Sequence, residues 1–173
     1  DCLADAVGHF DELVPDKNGS IVVGSIDFYR GDGWQLLLAR PQYALRVSLF
    51  LRGCLRANDM PDTRICTGFG TVRHIDPDQV SQSIGQAFEL SGTALDKLKG
   101  RRRMNCSLPY YMDREQALFA SIFELSDAIV QKWTVSQAQK VIWALRGLNQ
   151  EEIASRLDKP ATQQGIGKQL NQA

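Results

Sequence analysis

The sequence is poor in the residues that metal and thiol chemistry use. Its 173 residues hold two histidines and four cysteines, Cys2, Cys54, Cys66 and Cys106, with no CxxC pair. That spacing gives no zinc site and no disulfide framework of the kind small secreted domains need, so the cysteines read as small apolar core residues in a reducing cytoplasm. With so few histidines, no Ser/His/Asp or Cys/His arrangement is suggested, and His9 on a surface helix reads as inert. Charge of one sign is missing as well. Twenty Lys+Arg balance 20 Asp+Glu, so any contact with nucleic acid or an anionic membrane has to come from a local patch. No apolar run approaches the ~20 residues that span a bilayer, and no charged segment with an apolar stretch behind it opens the chain. What is present, 43% hydrophobic and 23% charged residues, suits a soluble chain that folds around a core.

Periodicity divides the chain in two. Apolar residues recur at helical spacing from Cys2 to Val14, and Pro15 and Asn18-Gly19 stop that helix. Ile21 to Tyr29 and Trp34 to Ala39 read as strands joined across Gly31-Asp32-Gly33, where glycines permit the positive φ of a tight turn. Pro41 opens a helix to about Asn58, Thr63 to Val72 reads as a strand, and His74 to Gln82 as a polar loop. Ser83 to Lys99 reads as a helix, and the alternation of Met104, Cys106 and Leu108 suits an edge strand over 102–108. Beyond Pro109 only helices are expected, at about 113–132, 135–147, 150–157 and 162–171. Sheet elements first and helices afterwards predict an α+β domain over residues 1–109 followed by an all-α module over 110–173. The chain opens on Asp1 in mid-pattern rather than on Met, so a segment upstream of it is expected.

The sharpest local signal is at the end. Thr134 is a natural N-cap for a helix that Gly147 terminates, and Asn149 followed by Glu152 is a capping-box pattern with Asn in place of Ser or Thr. Ile153, Leu157 and Ile166 would share a core across a polar turn, 158–161, that leads to Thr162 as N-cap of the last helix. Two short helices so joined, over about 149–171, form a helix-turn-helix. Its second helix would present Gln163 and Gln164 to base edges, where Gln pairs bidentately with adenine, while Gln150 and Lys168 meet phosphates of double-stranded DNA. Local charge is modest, five cations (Lys140, Arg146, Arg156, Lys159, Lys168) against Glu151, Glu152 and Asp158. The alternative is a helical packing or protein-interaction tail. Arg101-Arg102-Arg103 is a further basic cluster, open to phosphate contact or to protecting an edge strand.

Asn149 to Leu157 followed by Gln163 to Gly167 resembles the helix-turn-helix of phage repressors and sigma-factor-like regulators. Phe28-Tyr-Arg-Gly-Asp-Gly33 resembles the metal-binding hairpin of class III nucleotidyl cyclases, and Arg64 to Gly70 and Gly85 to Leu95 fall where that fold has its next strand and helix. Taken together the chain resembles SatD-like bacterial proteins. The resemblance implies a ferredoxin-like, nucleotidyl-cyclase-like mixed sheet with helices, and a homodimer formed or a ligand sensed by the front domain. It also implies a first strand ahead of the first helix carrying a second Asp, so that Mg²⁺ could be held with Asp32. The cyclase transition-state pair falls on Glu89 and Thr93, which cannot stabilise charge developing on phosphate. The expectation is therefore a cytoplasmic DNA-binding regulator rather than an enzyme. A metal-dependent nucleotide site at Asp32 and a pure interaction scaffold stand as alternatives. Asp27, and the loop His74-Ile-Asp76-Pro-Asp78, are weaker metal candidates.

Overall fold

A computed structural model describes residues 2–13, 19–29, 31–157 and 163–173. Helix α1 (Cys2–Leu13) buries Leu3, Ala6, Val7 and Phe10 on one face, as their spacing predicts. It lies against strand β1 (Val22–Tyr29) and helix α2 (Ala44–Ala57). β1 and β2 (Gly33–Leu38) form the expected antiparallel hairpin, with Tyr29 opposite Gly33. Of the two turn glycines, Gly31 takes a positive φ of 84°. Gly33 answers to space instead, since a Cβ there would stand 2.8 Å from the carbonyl oxygen of Tyr29.

α2 is the pillar of the fold. Ten of its fourteen residues are buried, because α1, helix α4 (Asp113–Val130) and helix α5 (Val135–Leu145) all pack on it. Phe10 and Phe50 meet at its centre with ring centroids 5.0 Å apart.

The strand expected over 63–72 is broken. It forms β3 (Ile65–Gly68), parallel to β6 (Met104–Ser107), and a separate β4 (Val72–His74), antiparallel to β5 (Ile84–Gly85). Helix α3 (Gln86–Lys97) causes the break: it presses on Gly68 so closely that a Cβ would lie 1.9 Å from the carbonyl oxygen of Ala87. Ile84 and Gly85, expected inside that helix, are the strand that precedes it. The mixed α+β class holds, but the described strands form three two-stranded sheets rather than one mixed sheet. β6 has β3 as its one strand partner among the described residues, which fits the edge-strand alternation.

After Pro109 the described elements are helical, as the change of texture predicts: a short 3-10 turn, then α4, α5, α6 (Gln150–Ser155) and α7 (Gln163–Leu170). They share their core with the front half. Phe123 of α4 is buried in the same cluster as Phe10 and Phe50, and Ile142 and Leu145 of α5 lean on it. A second cluster joins Ala57 of α2 to Val130, Trp133, Ala138 and Val141. Among the described residues no helix is long and apolar enough to cross a membrane.

Candidate nucleic-acid interface and the cleft behind it

Of the three predicted caps, the two within the described residues are made. Thr134 Oγ1 accepts from the N–H of Gln137, and Asn149 Oδ1 accepts from the N–H groups of Glu151 and Glu152, while the Glu152 carboxylate accepts from the Asn149 N–H. The donors that open α5 and α6 are thereby satisfied, which starts each helix at a defined residue. Gly147, at φ +90°, follows the end of α5 and lets the chain turn into α6.

The three helices then lock through few residues. Ile153 and Ile166 are completely buried, and Trp133 Nε1 donates to the Ala173 carbonyl over 2.8 Å, tying the chain after α7 to the start of α5. With Ile166 turned inward, Gln163, Gln164 and Lys168 are exposed. Gln150 is placed differently: it is half-buried, with its amide lying where a Cβ on Gly167 would come within 3.1 Å, so it packs α6 onto α7. Thr162 and the turn 158–161 lie outside the described residues, as does Lys159.

Two of the five cations counted for this segment are committed to the interior. Lys140 Nζ donates to the Ser136 carbonyl and hydroxyl, both at 2.9 Å, and burial holds its pKa below the usual lysine value. Arg146 is buried with its guanidinium carbon 4.2 Å from the centre of the Trp143 ring and 5.9 Å from that of Phe50. Arg156 and Lys168 remain outside. Trp143 is a half-buried platform clasped by Arg146 and Arg156.

A cleft of about 610 Å³ is lined by residues between Tyr29 and Met112, and no sequence pattern announces it. Its two long walls are β2 and β3. The Ala39 N–H donates to the Ile21 carbonyl, so alternate groups of β2 address β1 while those of Trp34, Leu36 and Leu38 address the cleft. On β3, the N–H groups of Ile65 and Phe69 donate to Arg103 and Ser107, which leaves Cys66 and Gly68 facing the cleft from the other side. Trp34 Nε1 donates to Thr63 Oγ1 at 3.0 Å and ties β2 to the segment that leads into β3. The floor includes Val47, Ser48 and Leu51 of α2. The same helix carries α5 on another side, where Gly53 leaves room for Ile142 and Arg46 Nε donates to the Leu145 carbonyl.

The other candidates are not gathered here. Asp32 is exposed at the hairpin tip, and among the described residues no three His, Cys, Asp or Glu side chains stand together to hold a metal ion. The donor set at Asp32 therefore does not fit Mg²⁺ by itself. Asp27 is occupied: its Oδ2 accepts from the Ser81 N–H at 2.9 Å, and hydrogen bonds from Ser81 hold its carboxyl below the usual range. Asp76 likewise accepts from the N–H groups of Asp78 and Gln79 and shapes its own loop. Glu89 and Thr93 stand a turn apart on the exposed side of α3, while Ala87, Phe88, Ser91, Gly92 and Leu95 are the residues of that helix that line the cleft.

Sequence reasoning missed one buried group altogether. Arg52, completely buried on α2, is held by both oxygens of Asp62 and by Asp127 of α4. Comparison with protein families, with curated proteins and with solved structures finds no match to this chain.

Proposed function

We propose that the protein is a DNA-binding regulator whose α6–α7 pair docks on duplex DNA. The observation that carries the reading is the orientation of α7. Its one completely buried residue, Ile166, faces inward, and Gln163, Gln164 and Lys168 are left outward at the start and on the flank of a helix short enough to enter a major groove. Gln163 and Gln164 read base edges, and Lys168 and Arg156 meet phosphate. With only those cations available among the described residues of the segment, affinity for a single site is modest, and a pair of sites is the effective target.

The cleft fits the regulatory half of this reading. α2 is both its floor and the support of α5, so whatever fills the cleft bears on the helix that carries α6 and α7. The edges of β2 and β3 that have no strand partner among the described residues support the expected extra strand: an extended segment lying between β2 and β3 pairs on both sides and merges two small sheets into one, the ferredoxin-like arrangement implied by the resemblance.

Binding selection from random duplexes, followed by anisotropy titration at several salt concentrations, tests the function. The expected result is an enriched sequence bound with an affinity that falls steeply with salt, and weakened in Gln163→Ala/Lys168→Ala. No enrichment, or equal binding by the double variant, rejects it.

A further inference from the structure

The inward side of α4 is filled by Phe123, Asp127 and Val130. Its outward side is also apolar. Leu118 is 61% exposed, Ile122 40%, Leu125 66% and Ile129 47%. Their 4-3-4 spacing places them on one seam of the helix, about 17 Å long at the rise of an α-helix. Ala117, Ser121 and Ala128 beside them are exposed and small, so another helix backbone can approach closely. A water-facing aliphatic seam of this length is the mark of a contact surface.

We propose that the seam is covered by the α4 of a second copy of this chain, packed antiparallel about a two-fold axis passing between residues 123 and 124. That axis sets Leu118 against Ile129 and Ile122 against Leu125 of the second copy, so each layer pairs a Leu with an Ile and no side chain of the seam is left uncovered. The charges at the ends of the seam decide the direction. Glu115, exposed in the first turn, then stands opposite Lys132 of the second copy, exposed just past the last turn, and the pair occurs twice in the dimer. Parallel packing would oppose Glu115 to Glu115 and Lys132 to Lys132 and align the helix dipoles unfavourably. Glu124, on the flank, is engaged by Arg102 of its own chain at 2.6 Å and does not intrude. A single helix pair lies at the small end of specific interfaces, below about 1,200 Å² in total, the size class of weak and reversible association. The pairing stands on α4 alone and does not depend on the DNA reading.

The experiment is sedimentation velocity of the full chain from about 1 to about 200 µM. The expected result is a concentration-dependent rise from 19.3 kDa toward twice that mass. Leu125→Asp, a change at a largely exposed position, stays monomeric with an unchanged thermal unfolding curve. Glu115→Lys and Lys132→Glu each weaken the dimer roughly 3- to 30-fold, because each sets like charges together twice, and the double variant regains the original affinity. A protein that is monomeric throughout overturns the proposal. So does a dimer indifferent to Leu125→Asp, and so does a charge swap in which the double variant is no better than the singles.

Discussion

The guanidinium of Arg52 meets the carboxylate of Asp127 across 2.7 Å in the interior, joining α2 to α4. Asp127 is otherwise saturated: its second oxygen accepts from the Arg103 N–H at 2.7 Å, and Gln131 Nε2 donates to the first at 2.9 Å. Arg52 in turn clasps Asp62, so a neighbouring loop and a helix distant in sequence close on one cation. A buried pair of this kind contributes little over an apolar replacement but is costly to break by halves.

Removing one partner of that group should be severe. Arg52→Met leaves Asp127 charged and buried, and a loss of about 3–5 kcal/mol is expected from urea unfolding. Arg52→Met/Asp127→Leu should recover much of it. The pH dependence follows from Asp127. Burial raises its pKa, but the hydrogen bonds from Arg103, Gln131 and Arg52 outweigh burial and hold it below the ordinary value. Its contribution is therefore full above the unfolded carboxyl value near 3.9, and is lost as pH falls through the lower folded value. Acid unfolding of the wild type should steepen below about pH 4, and Asp127→Asn should flatten that limb.

Two glycines at α3, one pressed against the helix from β3 and one within it, should respond with opposite sign. Gly68→Ala drives a methyl into the backbone of α3 at Ala87, and a loss of about 1–3 kcal/mol or more is expected. Gly92 lies within α3 with nothing within 4 Å of an added Cβ, so Gly92→Ala should gain about 0.4–1 kcal/mol. Chemical denaturation of both variants checks the pair.

What could be read from the sequence was local. Thr134, Asn149 with Glu152, and the periodicity of α1 and α4 announce themselves because caps and amphipathic faces are short-range patterns. The break after Gly68 was hidden, since it is set by Ala87 some twenty residues away. So was the inward turn of Lys140 and Arg146, which charge counting treats as surface. The cleft was invisible for a related reason: which edge of β2 or β3 is left unpaired depends on strand order, and no residue along either strand encodes that.

The cysteines should behave as buried apolar groups. Burial pushes Cys54 up to about 12, and Cys66 and Cys106 each up to about 11. At pH 8 only roughly one Cys66 or Cys106 thiol in a thousand is ionised, so maleimide labelling of the folded protein should be slow at all three positions. The rate at Cys66, which lines the cleft and is half-buried, should keep climbing beyond pH 9 without a plateau. A rate that levels off between about pH 9 and 10, read by mass spectrometry of the labelled peptides, would show an ordinary exposed thiol of pKa near 8.5 there.

The cap at Asn149 offers a way to weaken the proposed DNA-binding face without touching its contact residues. α6 spans six residues, so its first-turn donors are a large share of its hydrogen bonds, and Asn149 Oδ1 satisfies two of them. Asn149→Ala should cost about 0.5–2 kcal/mol, concentrated in α6 and α7 because the front half draws nothing from this cap. Hydrogen exchange should accelerate at Ile153 and in α7 while α1 and α2 keep their protection. Duplex affinity should fall with it, and Asn149→Asp or Asn149→Ser, which can accept the same N–H groups, should restore both. Exchange that accelerates uniformly across the chain would mean that α6 and α7 unfold only with the whole molecule.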